Sequence, residues 1–221
     1  VNGTGDRISV RRALGLALLL TLGGSAMAIE EPAYEVVRTT ADFELRRYAP
    51  YLVAEVEVEG AFEDAGNLAF RTLFRYISGG NRPSTEIEMT APVTQTPAEK
   101  GEKIAMTAPV TQAPAGSADS GRHVVAFVMP ASFTRETLPE PLDPRVRIRE
   151  VPARLVAAHR YSGTWSEERY RAHEKTLLDA LRREGLDPVA APIFARYNSP
   201  FALWFARRNE VLVEVAEPPA P

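Results

Sequence analysis

Residues 43–62, FELRRYAPYLVAEVEVEGAF, decide the fold, because residues 146–165, VRIREVPARLVAAHRYSGTW, repeat their pattern without a gap at an offset of 103. Leu52-Val53-Ala54 matches Leu155-Val156-Ala157, Arg46 matches Arg149, Gly60 matches Gly163 and Phe62 matches Trp165. The first copy alternates apolar and polar residues across two strands, the period of a half-buried strand, with Pro50 marking the break between them. Directly after each copy the period changes. Phe62, Ala65, Ala69, Phe70, Leu73, Phe74 and Ile77 recur at threes and fours and predict a helix ended by Gly79-Gly80. The second helix is expected from about Glu167 to Glu184, capped by Ser166 and stopped by Gly185, with Tyr170, Leu177, Leu178 and Leu181 on its apolar face. Strands are expected again at HVVAFVMP (123–130), IFARYNSP (193–200) and NEVLVEVA (209–216). Two strand-helix-strand-strand halves, about 34–130 and 146–215, with no alternating βαβ order, predict an α+β domain on antiparallel sheet with a groove between pseudo-twofold halves.

A second duplication lies inside the first half. Residues 87–97, IEMTAPVTQTP, return 17 positions later as IAMTAPVTQAP, with nine of eleven positions identical. Pro92 and Pro109 donate no ladder hydrogen bond and belong at edges, bulges or strand ends. The linker between them carries Pro97 and Gly101, so the two copies are expected to fold back as a hairpin arm over 87–114. Asn81 stands eight residues before Met89, which assigns the sheet position to the first copy and predicts that deletion of 98–113 is tolerated. The loop APAGSADSGR (113–122) is too small and polar to build a core.

The first 28 residues read as an export signal. Arg7, Arg11 and Arg12 precede an apolar run from Ala13 to Leu22, and small residues lead to Ala28. The run is too short for a stable span. Cleavage after Ala28 removes three arginines and one aspartate and takes the formal charge from −3 to −5. A periplasmic or secreted acidic protein is the expectation, with a short Pro-rich tail at 216–221. No cysteine is present, which removes disulfides, thiolate metal sites and covalent CxxCH haem attachment. No basic stripe points to nucleic acid, and no GxSxG, HExxH, Walker loop or GxGxxG points to an enzyme.

Four segments, ELRRYAPYLVA, RYISGGN followed by IEMTAPV, FVMPASF with LPEPLDP, and YNSPFALWFARRNEVLVEV, appear in the order and spacing of one family. The chain resembles the SOUL haem-binding proteins. The resemblance implies a distorted antiparallel β-barrel of two such halves with two flanking helices, spanning 29–215, and non-covalent binding of haem or a related tetrapyrrole. It implies contacts from the first helix at Asn67, Phe70, Phe74 and Arg75 and from the loop 200–204 at Phe201, Leu203 and Trp204. Phe70 and Phe74 would stack on the macrocycle, and Arg75 would pair with a propionate. The loop offers no lysine, Asn67 stands where some members carry a basic residue, and Arg47 stands where certain members carry a candidate histidine ligand.

His159 and His173 are the candidate iron ligands, against the alternative of hydrogen-bonded half-core histidines. Met89, Met106 and Met129 are gap fillers in the same sense. Other readings stay open: a module for a different apolar small molecule, or an envelope interaction domain that holds a partner through the arm 87–114.

Overall fold

The computed structural model describes residues 29–83, 101–116, 121–199 and 201–217. The proposed export signal, the first copy of the duplicated segment, Pro200 and most of the tail lie outside the described residues, as does 117–120 of the small polar loop. The strands are β1 (Tyr34–Thr39), β2 (Glu44–Tyr48), β3 (Tyr51–Glu59), β4 (Asn81–Arg82), β5 (Val110–Pro114), β6 (Arg122–Val128), β7 (Glu140–Pro141), β8 (Arg147–Val151), β9 (Arg154–Tyr161), β10 (Ile193–Arg196) and β11 (Asn209–Glu214). The helices are α1 (Phe62–Ile77) and α2 (Glu167–Arg183), and Trp204–Ala206 make one 3-10 turn.

Nine strands form one antiparallel sheet in the order β1-β2-β9-β11-β10-β5-β6-β3-β8, curled into an open, distorted barrel. The fold class expected from the residues is the one observed. From β2 to β8 the order reads the same in reverse when β2 is exchanged with β8, β3 with β9, β5 with β10 and β6 with β11. The consecutive strands β2 and β3 do not pair. Pro50 turns the chain away, so β2 lies against β9 and β3 lies between β6 and β8.

Both helices cover the same face of the sheet, and strand alternation explains which residues they meet. Leu52, Ala54, Val56, Val125 and Phe127 point toward α1, where Ala69, Leu73, Tyr76 and Ile77 complete a buried cluster. Leu155, Ala157, Phe194, Val211 and Val213 meet Tyr170, Leu177 and Leu181 of α2, as the 3.6 period requires. Ser166 caps α2 by accepting from the Arg169 N–H at 3.4 Å, and Gly185 follows with φ 66°. The opposite, concave face carries Tyr48, Val156, Ala158, Ala195, Tyr197 and Leu212, among which Arg46 and Glu210 are sealed.

The duplicated segment departs from its expectation. The second copy, which the sequence reading does not assign to the sheet, supplies a central strand: β5 pairs with β6 on one side and β10 on the other. With both edges taken, no edge of β5 remains for a hairpin with its own copy. The lead-in to the second copy is also gripped. Asn81 donates from Nδ2 to the carbonyls of Tyr76 and Glu102 and accepts the Glu102 N–H at Oδ1, all at 2.8 Å. Asn81 therefore orders a segment 21 residues on. Pro109 sits just before β5, a position that needs no N–H from it.

Candidate functional site

On α1 a helical turn of 3.6 residues places successive side chains about 100° apart. Ala69, Leu73 and Ile77 face the sheet, and Gly66, Phe70 and Phe74 climb one flank out of it. Phe70 is half-buried, its ring edge-on to Phe127 with centroids 5.4 Å apart. Phe74 is 46% exposed and lies parallel to Phe70 at 5.6 Å with 13° between planes. Asn67 is exposed on the same flank. The structure thus brings three of the four helix candidates to one surface.

Arg75 is turned about 100° from Phe74 and occupies the other flank. There it lines, with Thr72, Tyr76, Leu142 and Arg145, an open cleft of about 490 Å³. Arg145 is committed to Asp143 at 2.6 Å, and its hydrogen bonds pull that carboxyl down to about 2. Arg75, in the last turn, sits favourably on the negative end of the helix dipole.

The loop candidates are open to solvent, with Phe201 94% and Trp204 57% exposed and Leu203 likewise exposed. Such apolar display on a short loop is uncommon for a surface without a partner. The loop is anchored from below: Asn198 Oδ1 accepts the Arg208 N–H at 2.6 Å, and Arg207 Nε donates to the Ala202 carbonyl at 2.9 Å. The Arg207 guanidinium also lies 4.4 Å from the centre of the Trp165 ring. Arg196 lies 5.3 Å from the same ring, and its guanidinium reaches the α1 backbone at Gly66, where an added Cβ would come within 2.2 Å of Nη2. Helix and loop are therefore joined through Gly66, Arg196, Trp165 and Arg207. The sequence reading singled out neither Gly66 nor Arg196. The signal was present in β10, where alternation puts Arg196 on the same, helix-covered face as Phe194.

The histidines lie elsewhere, between β9 and α2. His159 Nδ1 must donate to the Asp42 carbonyl at 2.5 Å, so its Nε2 accepts from His173 Nδ1 at 3.0 Å when both rings are neutral. The His173 ring stacks on Tyr161 at 3.9 Å, and burial, followed by His159 and Arg169, holds its pKa below the usual 6.5. Arg47 is exposed and bonded to Glu217. Among the described residues no group of three or more His, Asp and Glu is arranged to hold a metal ion, and no helix is long and apolar enough to cross a membrane.

A further hollow of about 410 Å³ is lined by Glu30, Glu31, Glu136 and Glu150 against a single cation, Arg135, together with Met129 and Phe133. Its carboxylates disfavour an acidic ligand. The α1 flank, with aromatics and guanidinium groups, suits a flat apolar ligand with acid groups, as a haem is.

Among solved structures the C-terminal domain of EcmrR covers 83% of this chain and 98% of its own length, with TM-score 0.56 and 9% identity. A hydrolase from Listeria innocua covers 81% and 94%, with TM-score 0.50 and 11% identity. At these identities the likeness is one of fold. In sequence the chain is 27% identical to heme-binding protein 2 of Homo sapiens over 201 residues, 88% of this chain and 90% of the relative. The pattern of the SOUL heme-binding protein family matches residues 29–99 and 94–214, two stretches that overlap at the end of the first duplicated copy. The chain belongs to the SOUL haem-binding protein family.

Proposed function

We propose that this chain binds haem or a related tetrapyrrole non-covalently on the Phe70–Phe74 flank of α1, with Asn67 beside the ring and the loop residues Phe201, Leu203 and Trp204 closing over it. The observation that carries this reading is the parallel, solvent-facing Phe70–Phe74 pair seated on Phe127. An exposed aromatic ladder of this kind costs nothing to uncover and can be covered by a flat ring. Apolar burial contributes roughly 25 cal/mol per Å², so several kcal/mol accrue without a bond to iron. The residues fit the macrocycle better than they fit an axial histidine, because His159 and His173 hold each other on the far side of the core. We place the chain outside the cytoplasm, exported by residues 1–28.

Titration with haemin, followed at the Soret band, tests the reading. Zinc protoporphyrin is expected to bind within about tenfold of haemin, a difference of about 1.4 kcal/mol. Phe74→Ala is expected to weaken both alike. A low-spin bis-histidine spectrum, or haemin binding lost in His173→Ala while zinc porphyrin is retained, would show axial ligation instead.

A further inference from the structure

Arg196 is a cation drawn inside the protein without an anion. Arg46 and Arg154 in the sheet and Arg208 just before β11, also wholly or partly buried, each hold a carboxylate at 2.7, 3.2 and 2.8 Å. Arg196 holds none among the described residues. Its single hydrogen bond runs from Nη2 to the amide oxygen of Gln112 at 2.8 Å. Gln112 is fixed in that orientation because its Nε2 donates to the Phe62 carbonyl at 2.9 Å. Arg196 Nε is buried with no partner, and Nη1 makes no hydrogen bond among the described residues. Phe194 and Trp165 each lie 5.3 Å from the guanidinium and give it aromatic faces, not a counter-charge. Burial lowers its pKa to about 10, so it remains charged at neutral pH.

Its position matters as much as its isolation. Arg196 pairs with Val110, and Val110 with Phe127, so the three side chains share one row on the helix-covered face. At about 4.8 Å between strands, Arg196 lies about 10 Å along the sheet from the residue that supports Phe70. Gly66 leaves the space that brings the guanidinium against α1, four residues before Phe70 on the same climbing flank. Glycine is unfavourable in a helix interior, and here a Cβ would displace the guanidinium. Arg75, on the other flank, points away from this surface.

We propose that Arg196 is the carboxylate anchor for a ligand lying on the Phe70–Phe74 flank, so that the site selects flat aromatic molecules carrying an acid group. The inference rests on the tetrapyrrole reading of that flank. A carboxylate arm would meet the unspent donors of the guanidinium beside Gly66, and the ring would cover Phe70 and Phe74. Trp165, shared by Arg196 and Arg207, would bring the loop's apolar residues down on the same ligand.

Metal-free protoporphyrin IX and its dimethyl ester, titrated into the full chain by fluorescence in one cosolvent, separate the two ideas. The wild-type protein is expected to bind the diacid at least tenfold more tightly than the ester. Arg196→Gln is expected to bring the diacid to the ester's level and leave the ester unchanged, and Arg196→Lys to recover part of the difference, since a lysine keeps the charge and loses the fork. Gly66→Ala is expected to weaken the diacid selectively with the charge still present. Should Arg196→Gln not fold, the wild-type ratio and Gly66→Ala decide. Equal binding of diacid and ester by wild type, or a diacid affinity untouched by Arg196→Gln, overturns the anchor while the tetrapyrrole reading stands. Binding of neither porphyrin overturns both.

Discussion

Arg46 and Arg196 belong to the same sheet and are drawn into opposite faces of it, with opposite electrostatic outcomes. Arg46, 3% exposed, forks onto Glu210 at 2.7 and 3.1 Å, and Glu210, fully buried, also accepts from Tyr197 Oη at 2.8 Å and Arg208 Nε at 2.9 Å. Burial opposes the charge on both members of that pair. The hydrogen bonds and the attraction of opposite charges together more than offset it, so Arg46 is shifted up and Glu210 down. Around Arg196 burial acts without an answering carboxylate and its pKa falls. A closed network of this kind holds the concave face together. An open one is a place where a ligand can supply the missing half.

The contrast can be broken most severely by removing the strand that seats Arg196. Deletion of residues 101–116 takes away β5, leaves β6 and β10 with bare edges and strips Gln112 from the guanidinium. Loss of a cooperative urea transition is expected, and a normal transition would show that the first copy replaces the second. Next in size are substitutions of the arginines themselves. Arg46→Met leaves Glu210 buried without its main partner and is expected to cost about 3–5 kcal/mol, whereas Arg196→Met removes an unpaired charge and is expected to stay within about 1 kcal/mol in either direction. Equal losses in urea unfolding would erase the distinction. The smallest effect concerns a third half-buried base, His173. Its folded-state pKa is depressed below 6.5, so the folded protein binds this proton more weakly than the unfolded chain. Its contribution is complete above 6.5 and is lost as pH falls through the folded value. A gentle decline of melting temperature across that window, flattened in His173→Gln, is the expected record.

The helices were legible because their signals are local. The 3.6 period, Ser166 and Gly185 place α2 at 167–183 against an expected 167–184. The 103-residue offset places β2 on β8 and β3 on β9 as sequence segments, yet says nothing of which strands touch, since β2 joins β9 across more than a hundred residues of chain. The duplicated copies were harder still. Nearly identical in sequence, they offer a strand equally well, and the choice falls to Asn81 and to two edges waiting on β6 and β10. At the site, Phe70 and Phe74 could be read from spacing. Arg75 joined them through the family resemblance, and its 100° turn puts it on the other flank. Arg196 went unnoticed because a charge on the inner side of a short strand breaks alternation, and such breaks point to function only when the neighbours are known.

The exchange of partners between the two halves has a kinetic side. Within the first half, β1-β2 and β5-β6-β3 are separate ribbons; within the second, β9-β11-β10 stands apart from β8. They become one sheet through β2-β9, β10-β5 and β3-β8, each joining distant parts of the chain. Neither half can close its own sheet. Loop-closure entropy must be overcome before most of the sheet's stabilisation arrives, so the chain should fold slowly and in a single step, after its last strand has been made. For a protein proposed to leave the cytoplasm, a polypeptide that cannot settle until it is whole remains threadable while it is being exported.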